Sequence, residues 1–142
     1  MIKRTFAVTC LEARMVDDKV HVGVELRRTP DIRTPFGLRT LAASHHGFRP
    51  DGYHTGAVWP FDTWLGAGGL DTVEPGTGDE LRAGIVDAVA RSGAFPELYV
   101  VELDGALRPH PESCEVQAWT VGAVLAIEAG WDGRGWAAAS AG

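Results

Sequence analysis

Apolar and polar residues alternate along the first part of this chain. Val20, Val22 and Val24 fall on one side of an extended backbone, and the residues between them fall on the other. Alternation with a period of two is typical of a β-strand with one buried face. Because residues 17–19 carry polar side chains suited to a turn, we predict a β-hairpin within residues 5–27.

Later apolar residues recur every three or four positions, which indicates helices. The first predicted helix runs from about Trp59 to Leu70, with Pro60 in its first turn, where a missing N–H costs nothing. Three glycines lie between residues 66 and 69. Each would weaken an isolated helix by up to about 1 kcal/mol, so their presence predicts tight packing against a neighbour.

A capping box predicts where the second helix begins. The Thr77 hydroxyl and the Glu80 carboxylate are spaced so that each can accept a backbone N–H of the first turn. Gly93 is expected to end this helix. Its predicted apolar stripe consists of Leu81, Ile85, Ala88 and Val89.

A third helix is predicted from about Cys114 to Ala129. Between the second and third helices, Asp104-Gly105 separates two short apolar runs, which predicts a hairpin over residues 98–108. The predicted apolar face of the third helix contains Val116, Trp119, Ala123, Val124 and Ile127.

Together these elements predict a mainly α-helical protein with short β-hairpins. Residues 29–52 are rich in Pro and Gly and predict a long loop with a short helix near Leu38–Ala43. We expect three parts: an atypical N-terminal segment of residues 1–28, a helical region of residues 29–130 and a flexible tail of residues 131–142.

The charge and cysteine content narrow the functional class. The net charge is −6 and the Lys and Arg residues form no basic block, which argues against nucleic-acid binding. No apolar run approaches the roughly 20 residues that cross a bilayer, and no signal peptide is expected. Cys10 and Cys114 cannot build a disulfide framework, so we expect reduced thiols and a cytoplasmic location.

The stretch Gly52–Asp62 carries the most informative side chains. At the loop that enters the first helix it places Tyr53, His54, Trp59 and Asp62. Aromatic faces suit the C–H face of a sugar, while polar groups bind its hydroxyls. Structural roles are also open, because Asp62 can favour the helix dipole by about 0.3–1 kcal/mol and His54 can be a hydrogen-bonded structural histidine.

Glu97 lies on a loop, because it follows Pro96 and precedes the predicted hairpin. It can act as a base that activates water, or it can be a solvated loop glutamate. No metal site or cofactor is expected, since the adjacent His45 and His46 lack a third ligand at useful spacing. Neither a Gly-x-Ser-x-Gly motif nor a Gly-rich phosphate loop occurs.

Four separated segments resemble one enzyme family. Their order and spacing are similar to the C-terminal part of amylo-α-1,6-glucosidase, the glycogen-debranching type of glycoside hydrolase, over residues 29–130. The resemblance implies a partial (α/α)6-toroid-like helical array that acts on an oligosaccharide or α-glucan. The segments are Thr34–Thr40, Gly52–Asp62, Phe95–Tyr99 and Cys114–Trp119.

The resemblance also implies roles for individual residues. Glu97 falls at the position of the catalytic base, which activates water on the face of the sugar opposite the leaving group. Arg39 lies on an earlier pocket segment, and Gln117 opens the last inner helix. The residues implied to bind substrate are Arg39, Tyr53, His54, Trp59, Asp62, Gln117 and Trp119.

The resemblance further implies a general acid, set roughly 6.5–9.5 Å from the base in an inverting enzyme. In the family this acid lies upstream of the matched segments, and the chain has no counterpart for it. A closed ring of about twelve helices needs on the order of 200 residues. We therefore expect a weakly active chain: a truncated or shifted reading frame, or one completed by self-association or a partner chain. The alternative is a non-catalytic remnant that binds sugar or docks on a partner.

Overall fold

A computed structural model describes residues 26–131 of the chain. This part is mainly α-helical with short antiparallel hairpins, which confirms the predicted fold class. The helices are α1 (Pro60–Val73), α2 (Asp79–Ser92) and α3 (Ala118–Glu128), preceded by a 3₁₀ turn at Pro30–Ile32. Strand β1 (Arg33–Thr34) pairs with β2 (Gly37–Leu38), and β3 (Tyr99–Val101) pairs with β4 (Leu107–Pro109).

Helix α1 lies at the centre and packs against α2, α3 and β2. It begins at Pro60 as predicted and ends at Val73, three residues later than expected. Gly66, Gly68 and Gly69 are all buried, which agrees with the tight packing that their positions predict. A helix with small residues at its contacts lets neighbouring backbones approach closely, so α1 can pack against three neighbouring elements.

The predicted capping box at the start of α2 is wrong. The Thr77 hydroxyl donates to the Glu74 carbonyl at 2.7 Å, and the helix begins two residues later with Gly78 at its cap. The Gly78 N–H donates instead to Asp71 Oδ1 of α1 at 2.9 Å. A carboxylate from another helix therefore satisfies an N–H that the local motif was expected to satisfy.

A buried ion pair joins α1 and α2. The Arg82 guanidinium on α2 contacts the Asp71 carboxylate on α1, and both side chains are largely buried. Arg82 Nη1 also donates to Asp79 Oδ1 at 2.9 Å. The predicted stripe of α2 is confirmed in that Leu81, Ile85 and Ala88 are buried, and Gly93 ends the helix at φ 67°.

Helix α3 begins at Ala118, four residues later than predicted. The preceding residues lie alongside residues 95–97 instead: the Gln117 N–H donates to the Phe95 carbonyl at 2.8 Å, and the Glu97 N–H to the Cys114 carbonyl at 3.1 Å. Backbone groups committed to another segment cannot form helical bonds, which delays the helix.

The predicted apolar face of α3 is also partly wrong. Small residues form the buried side, namely Thr120, Ala123 and Ala126. Val116 and Trp119 are 66% and 54% exposed, and Leu125 on the same helix is 64% exposed. Because α3 is apolar on nearly every side, its periodicity does not identify the face that packs.

No short helix forms near Leu38–Ala43. The Arg39 N–H donates to the Ile32 carbonyl at 2.8 Å, and the Thr40 N–H donates to the Ala57 carbonyl at 3.0 Å. Extended pairing with distant residues therefore replaces the local helix. The predicted hairpin at residues 98–108 is confirmed, with Gly105 at φ 88° in its turn.

The predicted N-terminal hairpin lies outside the described residues, except that residues 26–28 are helical. Leu26 is buried in the core cluster beneath the α1–α2 junction. Residues 132–142 of the expected tail also lie outside the described part. Across residues 26–131, no helix has both the length and the apolar character required to span a bilayer.

Candidate active site

The structure brings Glu97 against the loop that enters α1. The Tyr53 hydroxyl donates to Glu97 Oε1 at 2.9 Å, across 44 positions of sequence. Glu97 is half-buried, and its backbone N–H is bonded to the Cys114 carbonyl. Tyr53 therefore holds the carboxylate and Cys114 holds the backbone of Glu97, so the residue is not a freely solvated loop glutamate.

Three aromatic rings pack around the Tyr53 phenol, and two of them belong to the same loop. Tyr53 meets His54 edge-on with ring centroids 4.8 Å apart, and it meets Trp59 edge-on at 4.9 Å. His54 and Trp59 are nearly parallel, with an interplanar angle of 11° and a centroid separation of 5.8 Å. The third ring is His110, edge-on to Tyr53 at 5.9 Å. Glu97 thus lies beside an aromatic cluster.

Backbone contacts fix the loop that carries these rings. Trp59 Nε1 donates to the Tyr53 carbonyl at 3.0 Å. The Arg49 N–H donates to the Thr55 carbonyl at 2.9 Å, so the loop closes on itself. A Cβ at Gly56 would lie 1.9 Å from the Arg49 carbonyl oxygen, and only glycine therefore fits this closure.

The Tyr53 phenol remains protonated well above neutral pH. Burial raises the pKa of Tyr53, and the hydrogen bond to Glu97 and the negative charges of Glu97, Cys114 and Glu112 raise it further, to about 12. The phenol is therefore a hydrogen-bond donor to the carboxylate at any pH near neutrality. A donor directed at a carboxylate favours the charged form of that carboxylate.

His110 belongs to the site, although sequence reasoning missed it. It is buried, its Nε2 lies 2.9 Å from the Asp51 carbonyl, and the Glu112 N–H donates to its Nδ1 at 3.1 Å. Because Nδ1 accepts, this hydrogen-bond network assigns the proton to Nε2. The only local signal is a histidine between Pro109 and Pro111, which is too weak to identify it in advance.

Cys114 faces the other oxygen of the carboxylate. Its Sγ lies 4.0 Å from Glu97 Oε2, and the residue is exposed with a free thiol. A thiol at this distance is a weak hydrogen-bond partner. The two carboxylate oxygens of Glu97 therefore have unequal surroundings, a phenol on Oε1 and a thiol on Oε2.

Two predicted substrate-binding residues lie in the interior. Arg39 is buried and donates to the carbonyls of Val101 and Glu102, and burial lowers its pKa while the Glu102 charge raises it. Its guanidinium thus holds the end of β3. Asp62 is buried in the first turn of α1, where a negative charge favours the helix dipole.

The remaining two predicted residues lie at the start of α3. Gln117 is the half-buried cap of the helix, and its backbone N–H bonds to the Phe95 carbonyl. Trp119 is exposed and meets Phe61 of α1 edge-on, with ring centroids 4.8 Å apart. Gln117 thus lies beside the backbone of Phe95, but the cluster around Glu97 is formed by Tyr53, His54, Trp59, His110 and Cys114.

A cavity of about 520 Å³ lies between the C-terminal end of α2 and the β3–β4 hairpin. His110 and Cys114 line this cavity, whereas Glu97 and the rings of Tyr53 and Trp59 do not. The cavity is therefore a neighbour of the cluster and not the cluster itself. Converging polar groups, rather than volume, identify the candidate site.

The chemistry available to this cluster is that of a carboxylate base beside aromatic faces. Among residues 26–131, no three His, Cys, Asp or Glu side chains converge to hold a metal ion. The cluster offers a carboxylate, a phenol, an exposed imidazole and an indole. These groups suit a polyhydroxylated ligand with an apolar face.

Comparison with known families identifies the class. The family of the mannosylglycerate hydrolase MGH1-like glycoside hydrolase domain matches residues 5–120. The chain belongs to this family of glycoside hydrolase domains. The match contains every residue of the Glu97 cluster and extends into residues 5–25. A search of curated proteins finds no match to the chain.

Proposed function

We propose that Glu97 is the catalytic base of an inverting glycosidase site. The observation that carries this proposal is the 2.9 Å hydrogen bond from Tyr53 to Glu97, which places the carboxylate beside the aromatic loop. The base takes a proton from water as the water oxygen attacks the anomeric carbon. In the same step the glycosidic bond breaks, and the leaving oxygen receives a proton from a general acid.

The substrate class that we propose is an α-glucan of the glycogen-debranching type. Its support is the resemblance of four segments to amylo-α-1,6-glucosidase, together with the ring pair His54 and Trp59, which lie nearly parallel. The family description names mannosylglycerate, which supplies a competing substrate. A glucan presents a neutral sugar at both subsites, whereas mannosylglycerate presents a carboxylate, so the two can be separated experimentally.

We further propose that the general acid comes from outside this chain. The support is the resemblance, in which the acid lies upstream of the matched segments, and none of Glu12, Asp17, Asp18 and Glu25 stands in a recognisable acid motif. Loss of the acid removes a contribution of about 10²–10⁴ to the rate. The chain alone is therefore expected to hydrolyse slowly, and a partner that supplies the acid should restore activity.

Hydrolysis of isomaltose, panose and mannosylglycerate by the full chain tests these proposals. Slow release of glucose that Glu97→Gln abolishes is the expected result. Glu102→Gln is the matched control, because Glu102 pairs with Arg108 on the hairpin. Proton NMR of the first turnovers should show β-glucose from the α-linked substrate. Rapid turnover by the chain alone would contradict the external acid, and equal turnover by Glu97→Gln would contradict the base.

A second candidate function is a non-catalytic one: binding sugar or docking on a partner chain. The exposed apolar residues of α3 and its flank favour it, because Val116, Trp119 and Leu125 are each more than half exposed. Several large apolar side chains exposed along one short segment favour an interaction site. The same surface suits a partner chain or self-association that completes a helical ring.

Binding and association measurements separate the second candidate from the first. Maltose or isomaltose that changes tryptophan fluorescence without hydrolysis, and does so equally in Glu97→Gln, would favour sugar binding. Loss of this response in Trp59→Ala is then expected. For docking, light scattering should show self-association that Leu125→Gln weakens, and a monodisperse monomer at high concentration would count against self-association.

A further inference from the structure

We infer that Tyr53 is a positioning residue for the Glu97 base and not a contact for the sugar. This inference rests on the proposed function of Glu97. The phenol has one proton, and the structure commits that proton to Glu97 Oε1 at 2.9 Å. A sugar hydroxyl that needed the same proton would have to displace the carboxylate.

The surroundings of Tyr53 hold the phenol in this direction. Its ring has edge-on neighbours on three sides, His54, Trp59 and His110. Its carbonyl is fixed by Trp59 Nε1 at 3.0 Å. A side chain packed by its neighbours and bonded at its backbone loses little additional freedom when it orients a carboxylate.

The unequal surroundings of the carboxylate then assign the reacting oxygen. Tyr53 holds Oε1, and among residues 26–131 the contact of Oε2 is the Cys114 thiol at 4.0 Å. Oε2 is thus the oxygen that can accept a proton from an attacking water. Tyr53 fixes the rotation of the carboxylate so that Oε2 keeps one direction.

The charged and titratable groups around the pair come from three segments. His54 and Asp51 share the loop of Tyr53, Cys114 and Glu112 lie on the turn before α3, and His110 follows β4. The carboxylates of Glu97 and Glu112 both favour the protonated phenol. The hydroxyl therefore stays a donor while the carboxylate changes its charge.

Tyr53→Phe tests the inference directly, because it removes the hydroxyl and keeps the ring. In protein labelled with ¹³C-glutamate, the Glu97 carboxyl signal is assigned by its loss in Glu97→Gln. Its ¹³C chemical shift at neutral pH should change in Tyr53→Phe, because the carboxylate loses the hydrogen bond to Oε1. Tyr99→Phe is the matched control, because its hydroxyl donates to the Phe36 carbonyl instead. An unchanged Glu97 chemical shift in folded Tyr53→Phe would overturn the inference.

The NMR measurement needs no turnover, so it separates a failure of this inference from a failure of the proposed function. Where turnover is measurable, Tyr53→Phe should lower kcat about tenfold or more with little change in KM. A rise in KM with unchanged kcat would indicate a sugar contact and overturn the positioning role.

The reciprocal variant covers the case in which Tyr53→Phe does not fold. In Glu97→Gln the phenol loses a negative neighbour, so Tyr53 should ionise at lower pH than in the unmodified chain, where its pKa is about 12. Tyrosinate absorbance near 295 nm measures this, and the deeply buried Tyr99 serves as the internal reference. Identical phenol titration in both proteins would show that the two groups are not coupled.

Discussion

Helices α2 and α3 pack against the same central helix in opposite ways. On α2 the apolar stripe is buried, the polar residues face outward, and the ion pair between Arg82 and Asp71 ties the helix to α1. On α3 small residues are buried, while Leu125 is exposed and Trp119, also exposed, keeps an edge contact with Phe61 of α1. The packing of α2 is complete within the described residues, and the packing of α3 leaves large apolar side chains exposed.

The difference locates the surface that we propose for binding. The Glu97 cluster lies at the starts of α1 and α3. The buried ion pair lies on the α2 side of α1, and the proposed binding surface lies on the α3 side. Sites built on a rigid element beside an unfilled surface can accept a ligand or a second chain without disturbing the core.

The largest expected effect comes from breaking the junction of α1 and α2. Asp71→Ala leaves Arg82 without its buried partner and the Gly78 N–H without its acceptor. Removing one partner of a buried pair costs roughly 3–5 kcal/mol. Urea unfolding measures the loss. Asp87→Ala is the control on α2, the helix of Arg82, because Asp87 pairs with the exposed Arg91. An equal loss of stability in the two variants would contradict the role of burial.

The next largest effect on the free energy of unfolding has opposite signs on α2 and α3. A Cβ at Gly84 of α2 would lie 2.5 Å from the Pro35 carbonyl oxygen, so Gly84→Ala should destabilise the fold by about 1–3 kcal/mol. A Cβ at Gly122 of α3 meets no atom within 4 Å, so Gly122→Ala should stabilise by up to about 1 kcal/mol. Thermal unfolding of both variants checks the prediction, and the same sign in both would refute it.

A smaller effect is expected on the exposed side of α3. Leu125 is 64% exposed, so Leu125→Gln should change the free energy of unfolding by no more than about 0.5 kcal/mol. Denaturant titration at low protein concentration isolates this intramolecular term. A loss of several kcal/mol there would mean that other residues of the chain cover Leu125.

A further effect on stability is confined to alkaline pH. The unperturbed phenol of the unfolded chain has a pKa near 10, whereas Tyr53 in the fold has a pKa of about 12. Folding therefore favours the protonated phenol, and this contribution is intact below about pH 10 and is lost as the pH rises toward 12. Comparing unfolding of the unmodified chain and Tyr53→Phe across this window measures it, and a contribution that grows with pH would contradict the sign.

Local chemistry predicts some elements of this fold well. Pro60 can occupy only the first turn of a helix, Gly93 has a positive φ at the end of α2, and Asp104-Gly105 makes the hairpin turn. In each case the residues that define the boundary act on their own backbone. The prediction therefore depends little on what lies elsewhere in the chain.

Other elements depend on distant partners, and these are the ones that sequence reasoning misplaced. Asp71 captures the Gly78 N–H, so the start of α2 shifts away from Thr77. The hydrogen bond from Tyr53 to Glu97 and the presence of His110 in the cluster were not expected from sequence. Tertiary hydrogen bonds leave no periodic signal in the sequence.

The backbone around Glu97 is anchored independently of its carboxylate. The Glu97 N–H bonds to the Cys114 carbonyl, the Leu98 N–H to the Ser113 hydroxyl at 3.2 Å, and the Gln117 N–H to the Phe95 carbonyl. Shortening the side chain at position 97 should therefore leave an empty notch of the original shape. An exogenous anion as small as formate could then sit in that notch and restore function to Glu97→Ala, a form of chemical complementation that the scaffold itself makes available.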